Sequence, residues 1–335
     1  MIRFGIVGFG LHAVKRLMPG FEKSKNCVVS ALSRRDIRQA RESAAKHNIP
    51  LAFDSVAELC ASPEVDAVLV TTPNSLHLPD VLTAVNAGKP VLCEKPMAMN
   101  ADECRLMVEA ARKKNVLLGV AHVFRFEEST RQLRRWIEDG RIGRPIFARS
   151  EFSFFAGPSH PRKWLNDASL AGSGPIFDIG VHCIDSLRFI LQDAVTHVSA
   201  VGESDDRSGS VESSATLTLK FSRGTIATVL ASFRAQYRTP IEFIGGSGVI
   251  RADNALTVDH PIELQILSDG AVVGSRTASN HLAYAEQVDA FADAIEGRSP
   301  FPAPGEEGWK NQEVLDAALR SIRNRRTETV AEVPS

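Results

Sequence analysis

Hydrophobic and polar positions along this chain follow two different rhythms. Up to about residue 122, short and mostly apolar runs at 4–7, 27–32, 67–70, 90–93 and 116–121 alternate with amphipathic stretches at 36–47, 78–87 and 101–114. In the last of these, Cys104, Met107, Val108 and Ala111 recur at i, i+3, i+4 and i+7, the spacing that puts side chains on one face of a helix. An apolar run without alternation marks a strand covered on both sides. Such strands separated by helices predict a parallel, doubly wound sheet.

From about residue 144 the rhythm changes. A strongly apolar helix is predicted over 176–191, followed by strand-like segments at 196–201, 215–221, 225–233, 241–244, 262–267 and 271–275. Leu217, Leu219 and Phe221 alternate with Thr216, Thr218 and Lys220, so one face of this sheet is buried and the other wet. Ser222-Arg223-Gly224 and Ser268-Asp269-Gly270 supply tight turns between neighbours, which makes the sheet largely antiparallel. Helices at 284–295 and 306–324 close the chain. The expectation is an α/β domain over 1–122 and an α+β domain over 123–335 with a large, mostly antiparallel open sheet, whose C-terminal helix can pack back on the first domain.

Length agrees with that division: 335 residues make about two domains at ~150 residues each. Charge narrows the partners. Thirty-nine Lys and Arg stand against 40 Asp and Glu, a formal net charge of -1, so no overall basic field draws nucleic acid or an anionic membrane, and a small ligand is expected. The five cysteines are scattered, odd in number and without a C-x-x-C pair, which argues against a disulfide framework or structural zinc and for a reducing, cytoplasmic setting. Residues 1–8 lead into a strand without a signal-peptide pattern, and no apolar run approaches the ~20 residues of a membrane span.

Chemistry concentrates at a few motifs. Gly8-Phe9-Gly10-Leu11-His12-Ala13 is a G-x-G-x-x-A sequence between a strand and a helix, the dinucleotide fingerprint of a Rossmann domain. The second strand ends Ser33-Arg34-Arg35-Asp36, with a hydroxyl and two guanidinium groups where an NAD-selective domain places a carboxylate; this favours the 2′-phosphate of NADP, with NAD as the alternative. The same residues also read as a helix cap, Ser33 at the N-cap and Asp36 three residues on. Thr72-Pro73-Asn74 and Glu94-Lys95-Pro96 follow two further strands, at the carboxyl edge where open α/β sheets bind ligands, and His77 reads as a capping or packing residue. Asp178, His182 and Asp185 share one face of the apolar helix 176–191, where burial is costly unless the groups pair or line a cavity.

These motifs, together with Arg125-Phe126, Arg162-Lys163-Trp164, the run from Gly172 to Asp185 and Glu306-Glu307-Gly308-Trp309, resemble in order those of the glucose-fructose oxidoreductase / inositol dehydrogenase / rhizopine-catabolism (Gfo/Idh/MocA) family over nearly the whole chain. Ala13, Ser173 and Pro175 depart from its glycine-rich pattern. The resemblance implies an NADP-dependent oxidoreductase acting on a sugar, polyol or related cyclic carbohydrate. Lys95 and His182 are then the catalytic pair, oriented by Asp178, meeting at an interdomain cleft. Gly8, Phe9, Gly10, Leu11, Ser33, Arg34, Arg35, Thr72, Pro73, Asn74, Glu94, Lys95, Arg162 and Trp164 are the implied cofactor contacts. Lys95, Arg125, Asp178, His182 and Tyr284 are the implied substrate contacts, and no metal is called for. An NAD-dependent glycosidase and a non-catalytic dinucleotide sensor are the competing readings. Relatives also lead to the expectation of a homo-dimer or homo-tetramer built through the open sheet.

Overall fold

The computed structural model describes residues 1–157 and 159–334. The chain folds as two compact units, Met1–Val123 with Leu282–Trp309, and Phe124–His281 with Lys310–Pro334. The sequence boundary at 122 lies next to the first break. The stretch 282–309, which the sequence division leaves with the second domain, belongs to the first unit.

In the first unit β1 (Ile2–Val7), β2 (Cys27–Ser33), β3 (Leu51–Phe53), β4 (Ala67–Val70), β5 (Val91–Cys93) and β6 (Leu118–Val120) form one sheet in the order β3-β2-β1-β4-β5-β6, every pair parallel. Strands β4 and β5 are buried along their whole length, as their unbroken apolar runs predict. Strand β3 escaped the sequence reading because it is a three-residue, half-buried edge. Strand order reverses between β1 and β4, so the carboxyl ends of these two strands flank the crevice that such sheets use for ligands. The intervening helices start where short polar side chains take up free amides: Asp36 caps Ile37–Lys46, Ser55 caps Val56–Ala61 and Asn100 caps Ala101–Lys114. Late in the chain, the helix Ala283–Ile295 returns to this unit, where Asp289 accepts from Ser24 Oγ and from the Lys25 and Asn26 amides.

The second unit is built on a nine-stranded sheet of β7 (Pro145–Ser153), β8 (Val195–Glu203), β9 (Ser214–Phe221), β10 (Ile226–Ser232), β11 (Ile241–Gly245), β12 (Val249–Ala252), β13 (Pro261–Ser268), β14 (Ala271–Ser279) and β15 (Glu328–Thr329). Their order is β14-β13-β12-β11-β7-β10-β9-β8-β15, antiparallel except for the parallel pair β7 and β10. The sequence pattern does not announce central strand β7, since adjacent Ile146 and Phe147 are both exposed and blur the period of two. On β9 the alternation is as expected, with Ala215, Leu217, Leu219 and Phe221 buried. Asp269 and Gly270, at φ 49° and 79°, form the two-residue turn between β13 and β14.

The helix expected over 176–191 is two structures in succession. Ile176–Gly180 is a π-helical turn, in which the Val181 amide donates to the Ile176 carbonyl, and an α-helix continues over Val181–Leu191. Nearly all of it is buried. Among the described residues no helix is long and apolar enough to cross a membrane.

Candidate active site

At the end of β1 the chain turns through Gly8, whose φ is 85°. A Cβ there would come within 2.7 Å of Thr72 Cγ2 and 2.8 Å of the Thr72 amide nitrogen, so glycine is required both by the left-handed backbone and by the approach of the β4 loop. Gly10 is different. Its φ is not in the left-handed region, and an added Cβ would meet only the Gly8 carbonyl at 3.7 Å. The protein itself leaves that space open, as expected where backbone must come close to a pyrophosphate. The pyrophosphate of a dinucleotide therefore fits this turn.

The amides of Gly8 and Phe9 both donate to the Ser33 carbonyl at 3.2 Å, which ties the fingerprint to the end of β2. The Phe9 ring is buried edge-on to His47, while Leu11 is exposed and Ala13 is packed away. The Arg34 guanidinium folds back to Ser43 Oγ at 2.8 Å and Gln39 Oε1 at 3.0 Å, and Arg35 is exposed. Ser33 is not a cap: Asp36 accepts from the Arg38 amide and takes that role, because Ser33 is still the buried last residue of β2.

The β4 and β5 loops are tied to each other. Thr72 Oγ1 donates to Asp80, Pro73 precedes the short turn Asn74–Leu76, and Asn74 is buried. His77 is fully enclosed, with its ring nitrogens 2.9 Å from the Thr72 carbonyl and 3.0 Å from the Pro96 carbonyl. Burial pushes its imidazole below the ordinary histidine range despite those carbonyls. The Lys95–Pro96 peptide is cis, and Lys95 is half-buried. Burial alone would raise the Glu94 carboxyl, but His12, with Nε2 2.9 Å from Oε1, and Lys95 hold it below its ordinary value. The Lys95 amide also donates to Glu94, and Tyr284 lies edge-on to His12 at 6.0 Å. This unit thus gathers Lys95, Glu94, Thr72 to Asn74 and Tyr284. The His12 contact is one that no sequence pattern announced.

In the second unit the π-helical turn presents Asp178, and the first turn of the following α-helix presents His182. Arg162 makes a two-pronged ion pair with Asp178 at 3.1 and 3.2 Å. His182 is buried against the rings of Phe124, at 4.6 Å, and Phe152, at 6.0 Å. Trp164 is not a free ring; it packs on the cluster of Leu165, Ile179, Ala231 and Phe233. Asp185, the third member of the predicted stripe, is drawn to Arg125. Three contacts of 2.6 to 3.1 Å join the two groups in the interior, and Asn311 Nδ2 donates to the same carboxylate. Arg125, expected as a substrate contact, is thereby the buried partner of Asp185. Glu212 holds the start of this helix: its carboxylate accepts from Ser173 Oγ at 2.6 Å, the Gly174 amide at 3.1 Å and the Ile176 amide at 3.0 Å. Charge-assisted bonds at the amino end of a helix are favourable twice over, by geometry and by the helix dipole.

The description "Oxidoreductase family, NAD-binding Rossmann fold" belongs to a family model that matches residues 2–122, and the "GFO/IDH/MocA C-terminal domain" model matches residues 130–251. A 1,5-anhydro-D-fructose reductase of Ensifer adhaerens is 34% identical over 341 residues, covering 99% of each chain. A D-xylose 1-dehydrogenase [NADP(+)] of Haloarcula marismortui is 28% identical over 279 residues, covering 81% of this chain and 78% of its own. The crystal structure of an aldose-aldose oxidoreductase from Caulobacter crescentus complexed with glycerol superposes with a TM-score of 0.89 at 25% identity, covering 98% of this chain and 99% of that one.

Proposed function

The chain belongs to the Gfo/Idh/MocA oxidoreductase family, and we propose on that footing that it moves a hydride between NADP and a hydroxyl-bearing carbon of a sugar or polyol. The observation that carries this reading is the fixing of Lys95. It stands at the carboxyl end of β5, in a loop pinned by Glu94 to His12 and by His77 to the Thr72 carbonyl, on the sheet edge that also carries the open Gly10 turn. The dinucleotide, when bound, supplies hydride acceptance and donation. In this reading Lys95 Nζ is the group that moves the hydroxyl proton, and His182, its ring packed against Phe124 and Phe152, is a hydroxyl-binding residue of the second unit. Asp178, held by Arg162, orients the substrate hydroxyls.

Substrate class rests on the relatives, one named for an anhydro-sugar and one for xylose. Preference for NADP is supported by the exposed Arg35 beside the β2 terminus and by the absence of a carboxylate at Ser33, Arg34 or Arg35; the xylose enzyme is itself named for NADP(+). A panel of aldoses, ketoses and inositols run with NADP and NAD in parallel, read by nicotinamide absorbance, tests enzyme, cofactor and substrate class together. The Lys95→Met variant is expected to lose roughly 10²–10⁴-fold in kcat, the contribution of a general acid or base, while binding NADP as the parent does by fluorescence titration. Near-parental turnover would remove Lys95 from the mechanism. Release of a leaving sugar without net cofactor reduction would point to a glycosidase instead. The outward apolar side chains of the open sheet support the expectation of a homo-dimer or homo-tetramer.

A further inference from the structure

Within the second unit lies a cavity of about 300 Å³, at the lower end of the roughly 300–1,000 Å³ range of small-ligand pockets. Phe154, Phe233 and Leu165 give it an apolar wall. Around that wall stand Arg162, Lys163, Arg207 and Arg234, and no Asp or Glu is among its described lining residues. In a chain with 39 basic and 40 acidic side chains this segregation is not background. A second cavity, of about 250 Å³, shows the ordinary mixture, with Arg251 set against Asp253 and Glu263.

The nearby carboxylates do not neutralise the cavity. Asp205 takes both Arg234 and Arg207, and Asp178 takes Arg162. Lys163 has no carboxylate partner among the described residues. Four permanent cations therefore face two carboxylates, and the lining keeps an excess of two positive charges. Its position ties it to the reaction. Arg162 lines the cavity and also grips Asp178, which stands four residues before His182 on the same helical segment.

From this we infer that the cavity receives the carboxylate or phosphate of an acidic sugar, so that the substrate carries an anionic group at the end remote from its reacting hydroxyl. The inference rests on the oxidoreductase reading for the reacting end, and on the cavity alone for the anionic end. Guanidinium forks match carboxylate and phosphate oxygens, and the two phenylalanine rings suit the C–H surface of the sugar.

The test compares kcat/KM for each neutral aldose with that for its uronate and its terminal phosphate, in the parent and in the Lys163→Ala/Arg207→Ala double variant. Both replaced side chains are exposed, and Lys163→Glu serves as a second variant if the double one fails to fold. An acidic sugar is expected to surpass its neutral parent at least tenfold. The double variant should lose at least tenfold on that acidic sugar and less than twofold on the neutral one. Preference for the neutral sugar, or equal losses on both, overturns the inference. If no carbohydrate is turned over with either cofactor, the oxidoreductase reading fails. The cavity is then judged by calorimetry with D-glucuronate and D-glucose 6-phosphate: binding by the parent that the variant loses upholds an anionic-sugar site, and equal or absent binding overturns it. Inorganic phosphate binding as tightly as the sugar phosphate would mark a free-anion site and overturn the assignment to substrate.

Discussion

Buried charge is resolved in two ways in this protein. Asp185 and Arg125 satisfy each other in the interior, with Asn311 completing the carboxylate, and Arg188 in turn donates to Asn311 Oδ1 at 2.6 Å. Among the described residues Glu127 has no cation partner, and it is 0% exposed; its carboxylate accepts from Ser129, at 3.4 Å, and Thr130, at 3.1 Å. Burial pushes its carboxyl well above the ordinary range, those hydroxyls and Asn280 notwithstanding. A raised folded pKa means that the folded state holds a proton which the unfolded chain releases above about pH 4.5, so this group's contribution to stability declines as pH rises. Relative to Glu127→Gln, the parent should therefore lose stability as pH rises above about 4.5, read from thermal melts of both proteins. Parallel melting curves across that range would contradict it. At the cofactor end, Arg34 is already occupied by Ser43 and Gln39, so the exposed Arg35 is the candidate guanidinium for the proposed 2′-phosphate contact. Arg35→Ala should raise KM for NADP about tenfold and leave KM for NAD unchanged, as lost phosphate recognition requires.

At the scale of elements, the segment carrying Asp178 and His182 depends on its entry. The π-helical turn offsets Asp178 from the register of the α-helix behind it, and single π turns of this kind recur at functional sites. Glu212 fixes that entry through Ser173, Gly174 and Ile176, and a Cβ at Gly174 would collide with the Glu212 carbonyl oxygen, so the departure from an all-glycine stretch stops short of this position. Glu212→Ala should cost ~1–3 kcal/mol of stability by leaving buried amides unpaired. Its kcat should fall while KM for the dinucleotide stays constant, and Glu212→Gln should recover part of the loss. Equal effects on kcat and dinucleotide KM, without recovery by glutamine, would make the contact structural only.

For the whole molecule, the open sheet leaves apolar side chains exposed on β7, β8 and β10. Phe147 is 51% exposed there, paired across β7 and β10 with exposed Ile226, while Leu230 and Val201 are exposed on β10 and β8. Contiguous apolar side chains on a soluble surface commonly mark an interface, and a self-complementary one closes a symmetric dimer. Phe147→Glu/Leu230→Glu should convert a dimer or tetramer to monomer by light scattering, with the melting transition retained. A monomeric parent would end the oligomer expectation.

Five of the six strands of the first unit, its glycine turn and the alternating face of β9 are legible in the order of residues, because burial repeats with backbone geometry over a few positions. The candidate lysine and histidine were legible because their flanking residues form dense local motifs. What the order of residues left open is which polar groups meet. His12 finds Glu94 across 82 positions, Arg125 finds Asp185 across 60, and Glu212 reaches Ser173 across 39. The spacing that put Asp185 in one stripe with Asp178 and His182 could not foresee its capture by Arg125. Nor could it foresee that 282–309 would complete the first unit, with Phe291 against Phe4 at 6.2 Å and Phe301 at 5.1 Å. Local periodicity decides which elements form. The pairing of charges and the closing of a core depend on contacts between distant segments, and only the folded path of the chain brings those together.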